Sequence, residues 1–182
     1  ALTMVLAAGV AALSMTKMPA LVEQLAPQQE SGEFDSVTGV RNLAYLEERL
    51  REFEQHARET LRPSIVLYVD LVNLEQVNRD FGYTTGDIVL KTIAQLIVRS
   101  ARNCDIVGRV VGDEFAVVLP DSTIRDADGV SQNVRREIQE FHMDLGRRGT
   151  IDYLSCKIGT AVFPTDGPSP EAVIAAARAN LS

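Results

Sequence analysis

Past residue 34 the chain alternates between short unbroken apolar runs and stretches in which apolar positions recur every three or four residues. The runs are strand-like: Ser64-Ile65-Val66-Leu67-Tyr68-Val69-Asp70, then Arg109-Val110-Val111 leading through Gly112-Asp113-Glu114 to Phe115-Ala116-Val117-Val118-Leu119, and finally Tyr153 to Phe163, interrupted by Gly159. An apolar run without polar alternation reads as a strand buried on both faces. The stripes are helical: Leu43, Leu46, Leu50 and Phe53, with Glu47, Glu48, Arg49 and Arg51 on the other faces; Ile88, Val89, Ile93, Leu96 and Ile97; and Val130, Val134, Ile138 and Phe141 in a polar helix running to about Leu145. A short helix-like segment from Asn73 to Phe81 is stopped by Gly82, and Thr84-Thr85-Gly86-Asp87 open the next helix. Gly146 and Gly149 bracket a basic turn, and an Ala-rich helix, Glu171 to Leu181, follows a loop with Pro164, Gly167, Pro168 and Pro170. The order βααββαβ predicts an α/β fold: a central, mostly antiparallel sheet flanked by helices.

Ahead of this domain the pattern changes. Residues 1–16 carry no charge, and a helix of that length spans about 24 Å, short of the roughly 30 Å of a hydrocarbon core. Two readings stand: the tail of a longer membrane helix, or an apolar helix that packs on the domain or a partner. The first is favoured because the run lacks a polar face. Residues 26–34, with Pro27, Gln28, Gln29, Ser31 and Gly32, read as a linker after an apolar N-terminal helix over 1–25, and the domain itself as 35–182.

Composition narrows the function. The chain has 182 residues and a formal net charge of -7, which argues against a nucleic-acid backbone binder, since that needs a basic footprint. A small anionic substrate remains compatible with this charge provided a metal ion supplies the positive charge. Cys104 and Cys156 have no metal-ligand spacing; a reducing compartment is the simpler inference, with a single disulfide as the alternative. His56 and His142 fall in charged stretches and read as surface residues.

The candidate chemistry sits at the turn Gly112-Asp113-Glu114 and at Asp70, the end of another apolar strand. A Gly-Asp pair is a common turn, and its acids can simply solvate a hairpin tip. A second carboxylate at a strand end shifts the reading toward a site.

The residues that carry a resemblance are Asp35-x-Val37-Thr38-Gly39-Val40-x-Asn42, Val69-Asp70, Asn78 with Phe81-Gly82-Tyr83-x-x-Gly86-Asp87, Val111-Gly112-Asp113-Glu114-Phe115, and Lys157-Ile158-Gly159-Thr160-Ala161. In this order the set resembles the GGDEF family of diguanylate cyclases, from about Phe34 to the C-terminus. The resemblance implies a nucleotidyl-cyclase-like domain that condenses two GTP molecules, one on each domain of a homodimer, into cyclic di-GMP with loss of pyrophosphate. It implies Asp113 and Glu114 as catalytic residues, and Asp70, Asp113 and the Leu71 carbonyl as ligands of Mg²⁺ or Mn²⁺. Asn78, Asp87 and Gly112 are implied to bind the substrate, the amide and carboxylate reading the polar edge of guanine. Read structurally, Asn78 is a helix-terminal amide and Asp87 an N-cap. Arg102-Asn103-Cys104-Asp105 resembles the family's inhibitory site for cyclic di-GMP, and Arg102 with Asp105 is equally a local ion pair.

Four positions depart from the family pattern: Val111 at the first glycine of the signature, Glu75 where lysine is usual, Tyr83 where histidine is usual, and Arg178 where aspartate is common. The chain also ends before the family's usual C-terminal basic positions. A β-branched residue at Val111 is poorly suited to a positive φ, and Glu75 reverses a phosphate-binding charge. The expectation is a cyclic di-GMP signalling domain of the diguanylate cyclase type, with weakened turnover. The alternative is an inactive domain that acts as a cyclic di-GMP or GTP receptor for neighbouring domains of a longer protein. The expected location is the cytoplasm, with attachment to the inner membrane through residues 1–16.

Overall fold

The computed structural model describes residues 32–182; the expected N-terminal helix and most of the linker lie outside the described residues. The chain from Gly32 to Ser182 forms one compact unit. Its sheet is built from β1 (Arg41–Asn42), β2 (Ser64–Val72), β3 (Ile106–Val111), β4 (Glu114–Leu119) and, after the small hairpin β5 (Met143–Asp144) and β6 (Thr150–Ile151), β7 (Ser155–Phe163). The strand order is β1-β3-β4-β2-β7, antiparallel throughout except for the short parallel pair β1 and β3. The helices are α1 (Leu43–Thr60), α2 (Leu74–Phe81), α3 (Tyr83–Ser100), α4 (Ile124–Gln139) and α5 (Pro170–Ala179). The expected βααββαβ order is therefore the central part of the domain, from β2 to β7.

Strand β2 shows why its apolar run is unbroken. Successive side chains point to opposite faces of a sheet. Ile65, Leu67, Val69 and Leu71 pack with residues of α2, α3 and α4. Val66 and Tyr68 pack with Leu46 and Leu50 of α1 and with Val173, Ile174 and Ala177 of α5. Both faces are covered, so the sheet is the middle of three layers.

Helix starts follow local chemistry. The side chain of Asn42 accepts a bond from the Tyr45 N–H at 2.9 Å and caps α1, while Thr123 and Asp126 form a reciprocal capping box on α4. Ser169 caps α5, with Pro170 at its first position.

Three expectations need correction. Helix α4 stops at Gln139 rather than near Leu145, because the chain turns after Glu140 and enters the β5–β6 hairpin, closed by Leu145 N–H to Gly149 O at 2.9 Å. Gly159 does not interrupt its strand; β7 runs through it, and a Cβ there would lie 2.0 Å from the Ala177 carbonyl of α5. The location expectation is also corrected: among the described residues no helix is long and apolar enough to cross a membrane. The 18-residue α1 and α3 carry charges such as Glu47, Arg51, Asp87 and Lys91, and residues 1–16, on which membrane attachment rested, lie outside the described residues.

Cys104 is exposed and Cys156 buried, and both are free thiols. Burial pushes the Cys156 thiol up to about 11, so it stays protonated at neutral pH. Both histidines are exposed.

Candidate functional site

The tip of the β3–β4 hairpin is the two-residue turn Gly112–Asp113, closed by the pairing of Val111 with Glu114. Gly112 supplies the positive φ of the turn, +55°, and Val111 stays in the strand with its side chain exposed. The strain expected at Val111 is therefore absent: the turn asks for a left-handed residue one position later. Arg109 fixes the tip by donating from Nε to the Gly112 carbonyl at 2.8 Å and from Nη1 to Asp35 Oδ1 at 3.0 Å. Asp35 also accepts from the Thr38 N–H and hydroxyl at 2.8 and 2.6 Å. Burial alone would raise its carboxyl; the bonds from Thr38 and Arg109 outweigh that and hold it below the ordinary value. The Asp35 motif thus anchors the hairpin, and Arg109 is a site-shaping residue that the sequence reading does not single out.

Beside the tip lies a cavity of about 270 Å³ whose walls include Glu75, Asn78, Tyr83, Asp87, Gly112 and Asp113. Four of the expected site residues, from α2, α3 and the hairpin, meet there. Gly86 is what lets Asn78 sit in this wall, since a Cβ on it would lie 1.8 Å from Asn78 Oδ1. Asn78 lies in the last turn of α2, where its carbonyl accepts from the Gly82 N–H, while the N-cap role does not apply to Asp87, which is inside α3, whose N-cap is Gly82. Glu75 is almost fully exposed, pairs loosely with Arg79 at 3.9 Å, and adds negative charge to the mouth.

Asp70 pairs in register with Glu114 on one side and Lys157 on the other, and the Leu71 N–H donates to the Asp113 carbonyl at 3.2 Å. Burial first, and then the Asp113 and Glu114 carboxylates, raise the Asp70 carboxyl above its ordinary value; Lys157 and Arg178 oppose the shift without cancelling it. Glu114 is only 8% exposed, and each of its oxygens accepts a hydrogen bond. Its Oε1 accepts from Arg178 Nη2 at 2.7 Å and its Oε2 from the Tyr68 hydroxyl at 2.9 Å. Burial and the bond to Glu114 push the Tyr68 phenol up, so it remains the donor.

Among the described residues no three His, Cys, Asp or Glu side chains form a ready-made metal cluster. Asp70, Asp113 and the Leu71 carbonyl are nevertheless hard oxygen donors of the kind Mg²⁺ and Mn²⁺ take. The raised Asp70 marks negative charge that a cation would relieve.

Arg102 and Asp105 are not part of this arrangement; they lie at the α3–β3 junction, against a different cavity. Arg102 donates to Asp105 Oδ1 from Nη2 at 2.8 Å and from Nε at 3.1 Å, and its backbone N–H bonds Oδ2 at 2.7 Å. The local ion pair exists, with the Asp105 side chain fully buried and the Arg102 guanidinium partly open to solvent.

Fold and tip together define an α/β domain with a carboxylate-rich cavity at the end of its central hairpin. The chain belongs to the GGDEF family, described as "Diguanylate cyclase, GGDEF domain", whose profile matches residues 33–182. It is 33% identical over 141 residues to the diguanylate cyclase TpbB of Pseudomonas aeruginosa, covering 77% of this chain and 32% of that protein. A solved structure of the TpbB GGDEF domain superposes with a TM-score of 0.73 at 33% identity, covering 80% of this chain and 84% of that one. The coiled coil and GGDEF domain of DgcB from Caulobacter crescentus, solved with c-di-GMP, gives a TM-score of 0.75 over 90% of this chain and 86% of that one; at 21% identity it speaks for the fold alone. The chain spans 20% to 38% of the length of the curated relatives TpbB, NbdA and YhcK.

Proposed function

We propose that this domain binds GTP in the hairpin-tip cavity and condenses two GTP molecules, one on each domain of a homodimer, into cyclic di-GMP. One observation carries the reading: Asn78, Asp87, Gly112 and Asp113, from three separate elements, line one cavity. An amide beside a carboxylate offers guanine both an acceptor for its N1–H and exocyclic amine and a donor for its O6. Asp70, Asp113 and the Leu71 carbonyl would hold Mg²⁺ or Mn²⁺, which when bound neutralises the triphosphate and stabilises charge on the α-phosphate. Without it, Asp87, Asp113 and Glu75 outnumber Arg109 in the cavity walls and repel a triphosphate. In each of the two transfers a 3′-hydroxyl oxygen bonds to the facing α-phosphorus, its proton passes to water, and pyrophosphate leaves with the electrons of the broken P–O bond.

A second reading, a receptor without turnover, has one specific observation in its favour. Glu114 is held on both oxygens, by Arg178 and by Tyr68, so protein donors already occupy a position at each of them. In this reading Arg102 and Asp105 bind cyclic di-GMP and the signal passes to neighbouring domains. Incubating the domain with GTP and Mg²⁺ and separating the products by chromatography decides between the two. Cyclic di-GMP with matching pyrophosphate is the expected result; intact GTP in the presence of measurable nucleotide binding supports the receptor.

A further inference from the structure

Helix α5 ends on the acidic corner with a cation. Tyr68 and Asp70 are two apart on β2 and so share one face of the sheet, and Glu114 of β4 and Lys157 of β7 stand opposite Asp70 in register on that same face. It is the face that α5 covers, since Tyr68 packs there with Val173, Ile174 and Ala177. Arg178, in the last turn of α5, donates from Nη2 to Glu114 Oε1 at 2.7 Å, and its guanidinium lies 5.9 Å from the centre of the Tyr68 ring. Its charge and that of Lys157 also act on Asp70, in opposition to burial, Asp113 and Glu114.

A cation at a helix C-terminus is favourable on its own, and an arginine that ties a helix to a sheet needs no further role. Three features go beyond that. Glu114 is buried, so solvent screens its charge poorly and the pair is not an ordinary surface ion pair. Arg178 is itself more than half exposed, and its other guanidinium N–H groups have no partner among the described residues, so it can swing into solvent without leaving a packed position. Asp70 stays raised even with this cation in place, so the corner is only partly neutralised. A guanidinium held in this way and a divalent cation at Asp70 and Asp113 repel each other, and both draw on the same negative charge.

We propose that Arg178 is a resident counter-cation of the metal site: bound to Glu114 in the metal-free domain, it competes with the divalent cation that Asp70 and Asp113 hold and so sets how much metal the domain needs. This rests on the reading of Asp70 and Asp113 as metal ligands. Arg178 stands where aspartate is common in the family, so the competition belongs to this chain. The test is calorimetric titration of Mn²⁺ alone, without nucleotide, into the parent, Arg178→Gln, Arg178→Met, Arg178→Lys and Asp70→Asn at one pH and salt concentration, with thermal unfolding of each recorded with and without Mn²⁺. The two neutral variants should bind Mn²⁺ about tenfold or more tightly than the parent, because a like charge has left a poorly screened corner. Their unfolding temperatures should also rise more on adding the metal. Arg178→Lys, which keeps the charge, should stay within about threefold of the parent. Arg178→Met, whose long apolar stem can still cover the Tyr68 ring, carries the test if Arg178→Gln does not fold. Parent-like Mn²⁺ affinity in the neutral variants, with binding lost in Asp70→Asn, would overturn the counter-cation, reduce Arg178 to a structural tie and leave the metal site standing. Equal binding by Asp70→Asn and the parent, or no binding by the parent and the neutral variants, would overturn both.

Discussion

Asp70 is where the acidic corner costs stability. Its carboxyl is raised by burial and by Asp113 and Glu114, so the folded domain binds more protons than the unfolded chain between the ordinary value of 3.8 and the raised one. Stability is therefore lost, not gained, as pH rises through that window, and above it the full penalty stands. We predict that Asp70→Asn raises the unfolding temperature of the metal-free domain at neutral pH. The gain should shrink to nothing at about pH 3, where the carboxyl is protonated in both states. Thermal unfolding of the two proteins across this range checks it, and a less stable Asp70→Asn at neutral pH would contradict it. Arg178 is the opposite case: a cation from α5 that supplies part of the missing positive charge by binding Glu114 at 2.7 Å.

At the scale of elements, two glycines separate folding from binding. Gly159 lets α5 cross β7, and the atom its Cβ would meet is backbone, which cannot turn aside. Gly159→Ala should lower stability by about 1–3 kcal/mol, the usual cost of overpacking. The three atoms nearest a Cβ on Gly86 all belong to the Asn78 side chain, which can rotate away, so Gly86→Ala should leave stability nearly intact while displacing Asn78 from the cavity wall. Denaturant unfolding together with GTP titration of both variants distinguishes the two roles; equal losses in both assays for Gly86→Ala would contradict the separation.

The elements themselves were legible where periodicity is strong, in β2, the β3–β4 hairpin and the apolar stripes of α1, α3 and α4. The end of α4 was not, because Phe141 and Leu145 continue the spacing of Ile138 although the backbone has already turned after Glu140. Two-residue β1 is too short to leave a pattern. In the site, Asn78, Asp87, Gly112 and Asp113 were readable as motif positions. The pairs Arg178–Glu114 and Arg109–Asp35 were not, since their members lie 64 and 74 residues apart and meet only through the fold.

At the scale of the molecule, two of the cavities among the described residues bear on function. One, at the hairpin tip, is carboxylate-rich; the other, at the α3–β3 junction, is lined by arginines and aromatic rings, and they share no lining residue. In our reading the first takes GTP, and the second is where the receptor reading places cyclic di-GMP. That division makes charge the deciding quantity at the first cavity. A triphosphate in a cavity whose lining holds Glu75, Asp87 and Asp113 against the single cation Arg109, on a chain of net charge -7, needs added cations to bind. Titration of GTP into the parent and into Asp113→Ala, each with Mg²⁺ and with chelator, tests this most directly. The account predicts binding by the parent that requires Mg²⁺, and affinity in Asp113→Ala reduced about tenfold or more, at least 1.4 kcal/mol. Equal GTP affinity with and without the metal, or an Asp113→Ala protein that binds like the parent, would contradict it.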